Sequence, residues 1–233
     1  MFLRHFYRVA MCYVGLSLVP STVSASSFSF QGTFLTDDQM QIFSFVAGPS
    51  AAVLRTWGFA GGTNANSTLI PAGGFDPILS LFGPGNLIAS TPLLATNDNG
   101  AGNVPADPGS GEHFDAFINT ASPVVTLTPG LTYFLILTES DNSPLSNTYG
   151  GGFSEQGQGN FTQILYPCGP GPFCDIDFNQ RNGNWAVDIT GVTSAQVVTT
   201  GTPEPNSVLL VACALAGVLA TWRRKHSTAR QSS

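Results

Sequence analysis

The chain has 233 residues, of which only 9% are charged, and it carries 26 glycines, 16 prolines and 17 phenylalanines; an ordinary soluble domain carries about 25% charge. That length allows one sizeable domain plus targeting segments. Between Ser26 and Gly201 only Arg55 and Arg181 stand against 13 acidic residues, a net of −11, and such a surface repels phosphate backbones and counts against nucleic-acid binding.

The chain opens on Arg4, His5 and Arg8, followed by an apolar stretch from Val9 to Val19 and by the small residues Val23-Ser24-Ala25. This is the three-part layout of a secretory signal peptide over residues 1–25, with cleavage expected after Ala25. Its apolar core is too short to span a bilayer comfortably.

The body, residues 26–192, reads as strands. "FSFQGTF" places Phe28, Phe30, Gly32 and Phe34 on one face and Ser29, Gln31 and Thr33 on the other. "MQIFSFV" follows the turn-prone Asp37-Asp38. "AVLRTWGF" divides Val53, Arg55 and Trp57 from Ala52, Leu54 and Thr56. "PILSLFG" and "NLIAS" flank Gly83-Pro84-Gly85, a strong turn signal. "FDAFI", "VVTL", "LTYFLILT", "FTQILY" and "NWAVDIT" complete about ten short strands. Many short strands with frequent turns predict an all-β fold, a single β-sandwich. "TSAQVVTTGT", residues 193–202, reads as a small-residue linker.

Few residues in the body suggest chemistry. "NDNGAGN", Asn97 to Asn103, alternates oxygen ligands, but the twelfth position, where an EF-hand needs Glu, is Pro108. A looser calcium site with Asp76, Asp98 or Asp115 stays open, beside the plainer reading of an Asn-Gly turn. His113 is the body's single histidine, with no second histidine for a metal and no nucleophile elbow around it. Asp175 and Asp177 share a strand face, as solvated carboxylates commonly do. Asn66-Ser67-Thr68 and Asn160-Phe161-Thr162 match the N-glycosylation pattern. No catalytic constellation, metal site or cofactor is expected.

Cys12 lies in the signal peptide and Cys213 in the tail, which leaves Cys168 and Cys174 in "CGPGPFC". In an oxidising compartment these two are expected to pair, stabilising the fold by ~2 kcal/mol in the chain-entropy model.

The tail is the most informative stretch. Ser207 to Trp222 is free of charge, and as a helix it reaches ~24 Å against a ~30 Å hydrocarbon core. Arg223, Arg224 and Lys225 follow it as a membrane stop that obeys the positive-inside rule. A C-terminal transmembrane helix is therefore expected over 207–222.

With Pro203-Glu204-Pro205 before that helix and the basic cluster after it, residues 203–226 resemble the PEP-CTERM sorting signal of Gram-negative bacteria. Asn206 intervenes before the Ser that usually follows the second Pro. The resemblance implies a partner, an exosortase-type membrane transpeptidase that cuts near the motif, and a transient stay in the inner membrane before release to the envelope or outside. "DPILSLFGPGNLIAS", "NDNG" and "PGLTYFLILT" resemble the jelly-roll-like sandwich of bacterial pre-peptidase C-terminal domains. "TWGFAGGTNANSTLIPAGGFDPILSLFG" and "NWAVDITGV" resemble exported bacterial proteins built around a Gly-Gly-Phe-Asp-Pro motif, here Gly73 to Pro77. These resemblances imply a fold and an address and carry no established catalytic activity. The expected function is non-enzymatic: an exported structural or adhesive protein of the envelope or extracellular polysaccharide matrix. The alternative is a carbohydrate-binding module that stacks sugars on Trp57, Tyr133, Tyr149, Tyr166 or Trp185.

Overall fold

A computed structural model describes residues 24–121, 125–157, 173–174 and 180–199. The hydrophobic stretch of the signal peptide, Cys168, the Pro203-Glu204-Pro205 motif, the 207–222 helix and the Arg223-Arg224-Lys225 stop lie outside them, so the expected Cys168–Cys174 bridge also falls outside the described side chains. No helix among the described residues is long and apolar enough to cross a membrane.

The chain is mostly β, and the described residues form twelve strands: β1 (Ser26–Thr33), β2 (Gln41–Ala47), β3 (Val53–Thr56), β4 (Gly62–Thr63), β5 (Leu69–Ile70), β6 (Pro77–Phe82), β7 (Leu93–Asn97), β8 (Phe117–Asn119), β9 (Thr132–Glu139), β10 (Phe173–Cys174), β11 (Gln180–Arg181) and β12 (Asn184–Val198). Eight form one antiparallel sheet in the order β7-β6-β9-β2-β12-β3-β8, with β1 beside β12; β4-β5 and β10-β11 are separate ribbons. The sheet is nearly closed. Its two edges meet where the Phe117 amide of β8 donates to Asn97 Oδ1 of β7 at 2.7 Å, and just beyond, the Gly100 amide donates to the Asp115 carbonyl at 2.7 Å.

The alternation read in the sequence explains which faces pack. Ala52, Leu54 and Thr56 are buried, while Val53, Arg55 and Trp57 are half-buried on the opposite face. In β1, Phe28 and Phe30 pack against a core that holds Phe34, Phe43, Leu54, Leu135 and Val187. Gly32 stands opposite Trp185 in the β1–β12 register. A Cβ there would come within 2.3 Å of the indole, so glycine makes room for that ring.

β6 and β9 carry apolar residues on both faces because they are covered on both sides. Leu79, Leu81, Leu135 and Leu137 enter the main core. Phe82 and Ile136 join Ile42 and Phe153 in a second cluster, to which the loop after β9 brings Phe153.

Two expected strands are loops. "NLIAS" closes on itself because the Thr91 hydroxyl donates to the Asn86 carbonyl at 2.7 Å and accepts from the Ile88 amide at 2.8 Å; the strand starts later, at Leu93. In "VVTL" the described residues are irregular: Val125 is buried, and the Thr128 amide donates to the Tyr133 hydroxyl at 2.9 Å. At the other end β12 continues to Val198, through the first residues of the stretch read as a linker.

β12 reaches that length by changing partners. Residues 184–192 pair with β1, 187–190 with β3 and 192–198 with β2. The change falls beside Gly191, whose φ is +76° and where a Cβ would sit 2.2 Å from the Ala51 carbonyl oxygen. Gly191→Ala combines a disfavoured φ with a backbone clash and is expected to cost about 3 kcal/mol. Urea unfolding measures it, and an unchanged midpoint would show that the bend tolerates a side chain.

Candidate functional site

Five described carboxylates are buried: Asp37, Asp107, Asp115, Glu139 and Asp188. A buried charge needs donors, and each of four of these acids takes at least one from loop backbone. Asp115 accepts from the amides of Phe59 and Ala60 at 3.2 and 2.9 Å and from the Thr56 hydroxyl at 2.8 Å. Asp188 accepts from the Ala65 amide at 2.8 Å, from Trp57 Nε1 at 2.7 Å and from the Ser29 hydroxyl. Asp107 accepts from the Gly109 and Ser110 amides at 3.2 and 2.9 Å. Glu139 accepts from the Asp141 amide and the Ser140 hydroxyl, both at 3.0 Å. Asp115, Glu139 and Asp188 fasten loops to the sheet, and Asp107 closes its own loop.

Both arginines of the body serve the same network. Arg181 meets Asp107 at 3.3 Å with both side chains buried, and its guanidinium lies 3.9 Å from the Phe59 ring centroid. Arg55 lies 3.6 Å from the Trp57 ring centroid, opposite Asp188 in the β3–β12 register. Burial holds Arg55 below its ordinary pKa, against the attraction of Asp115 and Asp188. Burial alone would raise the Asp107 carboxyl, but Ser110 and Arg181 outweigh it and leave it below its ordinary value. In Asp115 burial wins over its donors, and the carboxyl is raised. Glu139 is pushed up to about 7, chiefly by burial, with Asp141 and Asp37 adding repulsion.

The four described aromatic residues named as sugar platforms each pack against other side chains of the fold. Trp57 has Arg55 over its face and donates its N–H to Asp188; a Cβ at Gly62 would sit 2.7 Å from its ring. Tyr133 is buried and stacked on Phe45. Trp185 packs against Phe34 and Phe43. Tyr149 is half-buried, edge-on to Phe82. Tyr166 lies outside the described residues, as do Asp175, Asp177 and the Asn160 glycosylation pattern.

The calcium candidates do not converge. Asp115 is committed under β3, and no group of three or more His, Cys, Asp or Glu among the described residues is placed to hold a metal. His113 is half-buried with Nδ1 2.7 Å from the Val104 carbonyl oxygen. Asn66 is exposed in the turn between β4 and β5, where Asn64 Oδ1 accepts from the Asn66 and Thr68 amides.

The buried acids are what the sequence reading missed as a group. A signal was present, since Asp115 and Asp188 each interrupt an apolar strand run, "FDAFI" and "NWAVDIT". Clefts on the described surface include one of about 370 Å³ at the β1–β12 edge by Gly32 and Trp185, and a larger one of about 570 Å³ between β7 and the 143–147 loop. No protein-family model and no curated protein matches the chain.

Two predictions follow from the buried acids. Asp115→Ala leaves two buried loop amides and a hydroxyl without their acceptor, and is expected to cost about 3 kcal/mol or more in urea unfolding; a loss below about 1 kcal/mol would show that the clamp is dispensable. For Glu139 the folded pKa is raised from 4.5 to about 7. Its favourable contribution is therefore full below the unfolded value and is lost as pH rises through about 7. The difference in stability between the native chain and Glu139→Gln should shift by up to about 3 kcal/mol between pH 4 and pH 8, with the variant gaining at pH 8. A difference independent of pH would contradict this.

Proposed function

We propose that the chain is an exported, non-catalytic structural or adhesive module of the bacterial envelope or polysaccharide matrix. Two terminal signals read in the sequence support the export: the signal peptide over 1–25, and the Pro203-Glu204-Pro205 motif with its apolar helix and Arg223-Arg224-Lys225. One structural observation supports the non-catalytic reading above others. Asp107, Asp115, Glu139 and Asp188, four of the five buried acids among the described residues, hold backbone amides in place. A domain that uses its buried charges to fasten loops is built for persistence, which suits life outside the cell.

The finer architecture belongs to the same proposal. We read the nearly closed sheet as a jelly-roll-like sandwich akin to pre-peptidase C-terminal domains, and the meeting of side chains from β1, β2, β3, β6, β9 and β12 in one core supports that reading. In the same account an exosortase-type transpeptidase acts near Pro203-Glu204-Pro205, the inner membrane holds only the precursor, and Cys168 and Cys174 close a disulfide outside.

Mass spectrometry of the protein from its native cells tests this. The mature chain should begin at or near Ser26, lack Trp222 and the basic cluster, and yield Cys168 and Cys174 in linked peptides before reduction. Deleting the sorting enzyme should leave the tail attached and the protein in the membrane fraction. A mature chain that begins at Met1, or that keeps its tail in wild-type cells, would contradict the proposal.

A further inference from the structure

The larger cleft lies between the end of β7 and the 143–147 loop, and its volume of about 570 Å³ is within the roughly 300–1,000 Å³ that small-ligand sites occupy. The sheet contributes Ile78 and Leu93 to its lining, and the loop contributes Leu145, an apolar side chain left 64% exposed at the rim. The polar lining includes Thr96, Asn97, Asp98 and Asn99 on one side and Ser143, Ser146 and Asn147 on the other. Asn99 Nδ2 donates to Asp98 Oδ2 at 3.2 Å and orients that carboxylate.

The loop wall is pinned to its surroundings. The Leu93 amide donates to the Asn147 carbonyl at 2.9 Å, the Leu145 amide to the Gly152 carbonyl at 3.0 Å and the Tyr149 amide to the Thr91 carbonyl at 2.9 Å. The Ser143 amide donates to the Ser154 hydroxyl at 2.9 Å. A wall held this way loses little freedom when a ligand enters.

Charge and geometry define the ligand. No basic residue lines the cleft, and both body arginines are engaged on aromatic rings elsewhere. Partial desolvation, and after it the charge of nearby Asp141, raise the carboxyl of Asp98 above its ordinary value. An anionic ligand would meet only repulsion. Amide, hydroxyl and carboxylate groups beside an exposed leucine instead match an uncharged molecule with paired hydroxyls and an apolar face.

We propose that this cleft binds a neutral oligosaccharide segment, with sugar hydroxyls on Asp98, Asn99, Ser143 and Asn147 and a ring face against Leu145. The identification of that segment as part of an extracellular polysaccharide rests on the reading of the chain as an exported matrix protein; the cleft chemistry does not. It places recognition in a hydrogen-bonding cleft and away from the four described aromatic side chains, which the fold already uses.

The full chain, purified in a sugar-free detergent, would be titrated calorimetrically with cellohexaose and mannohexaose, and with trigalacturonate as the anionic probe. At least one neutral hexasaccharide should bind saturably. Asp98→Ala and Asn147→Ala should each weaken that binding about tenfold, the loss of roughly one hydrogen bond, without moving the thermal midpoint by more than about 2 °C. Asn119→Ala, an exposed site outside the cleft, should bind as the native chain does. Binding of neither hexasaccharide, binding indifferent to both cleft variants, or stronger binding of trigalacturonate would each overturn the proposal. Any of those results would leave the export reading standing, because processing in native cells decides that separately.

Discussion

Residues 184–198 form one strand that pairs in turn with β1, β3 and β2, and the nearly closed sheet is continuous only through it. β1 and β3 flank its first half, with β8 beyond β3; β2, β9, β6 and β7 extend from its second half. The core draws on the same strand, because Trp185, Val187, Ile189 and Val192 join one cluster with Phe34 and Phe43, and Ala195 packs against it. A strand shared in this way makes the two halves fold as one body, and its long-range pairings carry a large loop-closure cost during folding.

The second constraint is electrostatic. A body with 13 acids and two arginines cannot neutralise all of its five described buried carboxylates with ion pairs. It offers them backbone amides, indole and hydroxyl donors instead, and keeps its two cations close to Asp107, Asp115 and Asp188. The loops that would otherwise be the least stable parts of an all-β domain are thereby tied to the sheet. The outer surface is left acidic and poor in cations, which directs the functional reading away from anionic partners and toward neutral ones.

Much of the fold was legible from strand alternation. Phe28, Phe30 and Phe34 share the face their spacing predicts, and Leu54 points inward while Arg55 does not. Two kinds of feature were hidden. "NLIAS" has strand-like composition, and only the side chain of Thr91, five residues from Asn86, turns it into a closed loop. "TSAQV" looks like a linker because its residues are small, yet the pairing of Ser194, Ala195 and Gln196 with β2 makes it strand. Partners this distant in sequence leave no local periodicity to read. The same is true of the candidate site: Asp98 and Asn147 belong to segments that only the sheet brings together, whereas the proposed tail signals are patterns of contiguous residues.

The unity imposed by β12 is open to direct measurement by native-state hydrogen exchange resolved by residue. The account predicts that the protected amides of residues 187–190 and those of 194–198 exchange with the same free energy, equal to that of global unfolding, because neither half survives without the other. Exchange of the 194–198 amides at a free energy several kcal/mol lower, with 187–190 still protected, would show that the halves open independently and would contradict the account.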